Sequence, residues 1–160
     1  MQSSIIIIGI GNEYRGDDAA GLAVIQALKI HDLPSVHLIE GMCDGMSLLA
    51  CWDATSKVIL IDAASSGAEA GTIYRFDALT QHIPASVSFG STHALGVAGA
   101  LILAHTLQQL PSTLIVYAIE GKNYASGAAL SPEVEQAAQK VAVQVTQEVR
   151  PWTDPTLYAA

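Results

Sequence analysis

Apolar positions along the chain fall into two periods. Unbroken aliphatic runs at Ser4–Ile10, Val36–Glu40, Lys57–Asp62 and Leu114–Ile119 are short and bounded by turn residues, the pattern of strands buried on both faces. Gly71–Phe76 is a weaker run and reads as an edge strand. Between these runs the spacing becomes helical. Gly21, Val24, Ile25 and Leu28 share one face of a helix predicted over Asp18–Ile30, with Asp17 as its N-cap. A short helix is predicted over Met46–Cys51, after "EGMCDG". A third spans Thr92 to Leu110 and stops before Pro111, with Gly96, Gly99 and Ala100 smoothing one side. The last is capped by Ser131, takes Pro132 in its first turn and buries Val134, Ala138, Val141 and Val145.

Alternation of strands and helices predicts an α/β fold: a single three-layer domain with a mainly parallel five-stranded sheet and helices on both faces. The domain is expected over residues 1–150, with 151–160 as a flexible C-terminal tail. A chain of 160 residues suits one domain with a full core.

Composition narrows the partners. Hydrophobic residues make up 51% and charged residues 14%, which predicts a compact fold rather than disorder. With a net charge of −8 and only seven Lys and Arg, the chain is poorly suited to nucleic acid or an anionic membrane surface. The longest strongly apolar run, Ala94–Ala104, is broken by glycines and is shorter than the roughly 20 residues of a bilayer span. "MQSSIIII" has no basic leader and passes straight into a strand, so a cytoplasmic location is expected. Cys43 and Cys51 are too few for a disulfide framework and are expected to remain thiols.

In open α/β sheets functional groups gather at the carboxyl ends of the strands. Three places qualify here: the Gly9–Asp18 turn, Asp62, and the Ser88–His93 loop. The first looks like a phosphate cradle and fails as one. Tyr14 stands where a dinucleotide fingerprint needs its third glycine, and Asp17 and Asp18 stand where a P-loop needs Lys and Ser or Thr. Carboxylates at a helix N-terminus displace an anion and suit a cation. Consecutive residues there diverge by about 100°, so Asp17 is assigned the cap and Asp18 the site. Asp62 ends an apolar run, where a carboxylate either caps the following turn or binds something. His93 falls in a first helical turn, where the dipole favours the neutral imidazole that ligates metals. Asp18, Asp62 and His93 together form an incomplete coordination sphere for a divalent transition metal.

Four blocks, "GIGNEYRGDDAAG", "IEGMCDGMSLL", "VILIDAASSG" and "STHALG", resemble those of the hydrogenase maturation endopeptidases, in the same order and over about Ser4 to Arg150. The resemblance implies a cytoplasmic α/β protease that removes a short C-terminal peptide from the large-subunit precursor of a nickel–iron hydrogenase after nickel insertion. It assigns Asp18, Asp62 and His93 as catalytic and metal-contacting residues. The nickel would be supplied with the precursor, and another divalent metal could occupy the isolated protein. Many members carry glutamate where this chain has Asp18. Asn12, Gly41 and Asp44 are candidate walls of a substrate groove, together with the Gly121–Ser131 loop. Either the metal or a carboxylate would activate water. Two alternatives remain: a precursor-binding chaperone that does not cut, and a thiol protease using Cys43 with His93 as base. Glu40 and Asp44 count against the second, because nearby negative charge raises a thiol's pKa.

Overall fold

The computed structural model describes residues 3–41, 44–90 and 96–158. Its elements are β1 (Ile5–Ile10), α1 (Ala20–Leu28), β2 (Val36–Gly41), α2 (Gly45–Leu49), β3 (Lys57–Ser65), β4 (Ile73–Asp77), β5 (Ser88–Phe89), α3 (Val97–Thr106), β6 (Thr113–Glu120) and α4 (Pro132–Thr153). The sheet runs β2-β1-β3-β6-β4. Its first four strands are parallel, and β4 lies antiparallel on β6 at the edge, as its weaker pattern predicts. Among the described residues the expected five strands are six. The addition, β5, is only two residues long and pairs antiparallel with the end of β3; no periodicity can be read from two residues.

Strand alternation sorts the core into two layers. Ile5, Ile7, Ile59, Ile61, Ile115 and Tyr117 pack against α1 and α4, whose Val24, Leu28, Val134, Ala138, Val141 and Val145 are buried. Ile6, Ile8, Val58, Leu60, Leu114 and Val116 face the opposite way, toward Leu48 of α2 and Val97, Ala100 and Ala104 of α3. Both faces are therefore covered, which is why the central strands read as continuous apolar runs.

Several boundaries move for identifiable reasons. Strand β3 continues three residues past Asp62, held by β6 on one side and β5 on the other. Helix α3 stops at Thr106 rather than Leu110. Gln108 has a φ of 55°, its N–H donates to the His105 carbonyl and that of Gln109 to the Ala104 carbonyl, a left-handed C-terminal lock. The other end of that predicted helix, residues 92–95, lies outside the described residues. Helix α4 passes Arg150 and continues to Thr153, followed by a 3-10 turn at Pro155–Tyr158. Trp152 packs on the core, with the Lys57 ammonium 5.6 Å from its ring centroid. Among the described residues no helix is long and apolar enough to cross a membrane.

Candidate functional site at the carboxyl edge of the sheet

Strand β1 ends at Ile10, one residue past its last pairing with β3, Gly9 with Ile61. The chain then turns through Gly11–Arg15 into a 3-10 helix, Gly16–Ala19, before α1 begins. Gly16 has a φ of 54°, and a Cβ there would lie 2.2 Å from the carbonyl oxygen of Asn123. Glycine is required by both the turn and its neighbour.

Asp17 does not cap α1, contrary to expectation. Neither the 3-10 helix nor α1 has a side-chain cap. The Asp17 carboxylate is fully buried and accepts from Lys122 N (2.8 Å), Asn123 N (2.9 Å), Ser131 N (2.7 Å) and Ser131 Oγ (2.8 Å). Its own N–H donates to the Asn123 carbonyl at 2.8 Å. Burial opposes its ionisation, but the hydrogen bonds from Lys122, Ser131 and Asn123 together outweigh that cost and hold its pKa below the usual carboxylate range. All its partners lie more than 100 residues away in sequence, so no local pattern could have revealed them.

Asp18 is 3% exposed and Asp62 is fully buried. By strand alternation Asp62 shares the face of Val58 and Leu60, at the notch where β1 has stopped and β5 takes over beside β3. Its Oδ1 accepts from Ala63 N at 2.8 Å, whereas Oδ2, equally buried, has no hydrogen-bond donor among the described residues. Burial pushes the Asp62 pKa well above the usual value; the Ala63 hydrogen bond works against this and the charge of Asp18 adds to it. The two carboxyls are thus electrostatic neighbours in a buried site. Gly90 closes over Asp18. It donates to the Ala63 carbonyl at 2.8 Å, and a Cβ on it would stand 2.7 Å from Asp18 Oδ1 and 3.1 Å from Ala63 Cβ.

His93 and Cys43 lie outside the described residues. Among the described residues no group of three His, Cys, Asp or Glu side chains could hold a metal ion; Asp18 and Asp62 make a pair. The candidate groove residues have local partners. Asn12 Oδ1 accepts from Tyr14 N, and Asp44 caps α2 by accepting from Ser47 N. Gly41 ends β2 with a φ of 146°. A cleft of about 740 Å³ opens between α3 and the segment before β5, and Ile83, Val87, Phe89, Val97 and Leu101 line it. Asn12, Gly41 and Asp44 are not part of that lining. Cys51 is a half-buried thiol donating to the Ser47 carbonyl, with its pKa raised by burial.

Sequence reasoning passed over two further groups. Glu120, 2% exposed at the end of β6, accepts from Ser66 N, Ser66 Oγ and Gly67 N and so fixes the turn after β3. The Tyr124 hydroxyl donates to the Ala64 carbonyl at 2.6 Å. An acid closing an apolar run was the available signal for Glu120; Tyr124 lies in a loop and left none.

The chain matches the family model for hydrogenase maturation protease (HycI) over residues 22–148. Among curated relatives, it is 27% identical to the hydrogenase 2 maturation protease of Escherichia coli K12, over 91% of this chain and 90% of that one. It is 25% identical to the hydrogenase expression/formation protein HupD of Rhodobacter capsulatus, over 92% of this chain and 72% of that protein. Among solved structures, the hydrogenase maturating endopeptidase HybD from E. coli shares the fold with a TM-score of 0.73 at 24% identity, covering 91% of each chain. The [NiFe] hydrogenase maturation protease HycI from Thermococcus kodakarensis aligns with a TM-score of 0.66 at 25% identity, again over 91% of each. With a family model spanning most of its length and a curated relative covered to 90%, the chain belongs to the hydrogenase maturation protease family.

Proposed function

We propose that this protein is a cytoplasmic endopeptidase that removes the C-terminal extension of a nickel-loaded hydrogenase large-subunit precursor, with nickel serving as the recognition element of the substrate. One observation carries the reading. Asp18 and Asp62 are two buried carboxyls close enough for their charges to interact, and Asp62 keeps a buried oxygen with no hydrogen-bond donor among the described residues. Such a pair is costly without a cation and compensated by one.

Nickel arrives with the precursor and belongs to the substrate. Contact with its positive charge would lower the raised pKa of Asp62 and free both carboxylates to act as oxygen ligands. His93, three residues beyond the Gly90 that abuts Asp18, would add an imidazole nitrogen, the donor set expected for a divalent transition metal. The scissile peptide is then held beside the pair. Water is activated either by a carboxylate acting as general base or by the metal, and the amine of the departing peptide takes the proton.

The test mixes wild type, Asp18→Ala, Asp62→Ala and His93→Ala with nickel-loaded and nickel-free precursor and records intact masses. Loss of a C-terminal peptide is expected only with wild type and only with nickel. Tight binding without any mass change would replace the endopeptidase by a chaperone; cleavage of nickel-free precursor would remove nickel from the recognition step.

A further inference from the structure

The Gly121–Ser131 loop touches both elements that carry the buried carboxylates. On one side it grips the 3-10 turn bearing Asp18. Lys122, Asn123 and Ser131 hydrogen-bond to the carboxylate of Asp17, the Asn123 carbonyl accepts from Asp17 N, and Gly127 N donates to the Tyr14 carbonyl at 2.7 Å. On the other side it grips β3 two residues beyond Asp62. There the Ala64 carbonyl accepts from both Gly121 N (3.0 Å) and the Tyr124 hydroxyl (2.6 Å). The two grips meet at Gly121, where a Cβ would fall 2.5 Å from the Tyr124 hydroxyl and 2.7 Å from Asp17 Cβ. No side chain fits between them.

We propose that this loop is a brace that sets the spacing of Asp18 and Asp62, with Asp17, Tyr124 and Ser131 as its positioning residues. None of the three needs to reach the reacting atoms. The segments that carry Asp18 and Asp62 are not joined by strand pairing, because the direct pairing of β1 with β3 has ended at Ile61. The loop supplies the tie beyond that point. Groups one step removed from a cation's ligands typically change its affinity about 10–100-fold when removed, which is the size of effect expected here.

The experiment uses the full chain as Tyr124→Phe, Ser131→Ala, Ser131→Thr and Lys122→Ala. Each removes or keeps one part of the brace; Lys122→Ala loses only the surface ion pair with Glu133 and keeps its backbone N–H. Two quantities are read: Ni²⁺ affinity by calorimetry, and hydrogen exchange at the amides of residues 16–19 and 62–64 against those of Ile7 and Ile59. Tyr124→Phe and Ser131→Ala are expected to weaken Ni²⁺ binding about 10-fold and to speed exchange at both carboxylate-bearing segments, with Ile7 and Ile59 unchanged. Ser131→Thr, which retains the hydroxyl, and Lys122→Ala should match wild type. A fall in melting temperature with Ni²⁺ affinity and local exchange unaltered would overturn the brace and leave a purely structural loop. The Ni²⁺ readout rests on the proposed cation site, whereas exchange does not. Should wild type bind no Ni²⁺, that site reading fails, and unchanged exchange at 16–19 and 62–64 would separately end the brace.

Discussion

Asp17 and Asp62 are inaccessible carboxyls with opposite pKa directions: desolvation, deeper at Asp62, leads there, whereas hydrogen bonds prevail at Asp17. Among the described residues Asp17 is met by four donors and Asp62 by one, with the charge of Asp18 beside it. The signs follow. Because the folded pKa of Asp17 is depressed, its stabilisation is present above the unfolded value and is lost as pH falls through the folded value. Because that of Asp62 is raised, its penalty is absent below the unfolded value, grows as pH rises toward the folded value, and stays constant above it. Asp62→Asn should therefore stabilise the metal-free protein at neutral pH, an advantage that shrinks toward zero near pH 3 in denaturant titrations. Asp17→Asn, which turns an amide N–H₂ toward existing donors, should cost about 2–4 kcal/mol at neutral pH, and its deficit should also shrink in acid. Equal behaviour of the two variants would contradict this assignment. Sequence alone marked Asp18 and Asp62, because strand ends and turn chemistry are local. It could not divide the labour between Asp17 and a cap, because that depends on where residues 121–131 arrive.

Among elements, the four central strands were legible because two-sided burial leaves an unmistakable apolar run. β5 was not, since it exists only by pairing with the end of β3. Helix α1 lies unusually close to β1 and β3. A Cβ on Gly21 would meet the carbonyls of Ile61 at 2.3 Å and Ile10 at 2.4 Å, which explains a glycine on the buried face of a helix. On the same side of the sheet, α4 is fastened to β4 and β6 by one carboxylate. Glu148 accepts from Tyr117 Oη at 2.6 Å and pairs with the Arg75 guanidinium. Burial works against its ionisation, but those two partners prevail and hold its pKa below the usual range. Glu148→Gln should loosen α4 and cost about 1–2 kcal/mol, measured by urea denaturation, with precursor processing unchanged at temperatures well below melting. Loss of processing in this variant would mean that α4 communicates with the carboxylate edge.

For the molecule as a whole, a cation that binds only the folded state should stabilise it by about 2.7 kcal/mol at one hundred times its dissociation constant. Ni²⁺ should accordingly raise the melting temperature of wild type, while Asp62→Asn, already more stable, should gain nothing; an equal rise in both would locate the ion elsewhere. The fold class could be read from the order of periods, since strand and helix patterns alternate along nearly the whole chain. The way the two halves interlock could not. Asp17 lies just past the first tenth of the polypeptide, and among the described residues its carboxylate accepts from Lys122, Asn123 and Ser131. During synthesis, the turn bearing Asp18 therefore leaves the ribosome long before the residues that secure it. A nascent chain thus carries both acids before the residues that tie down their two segments have been made.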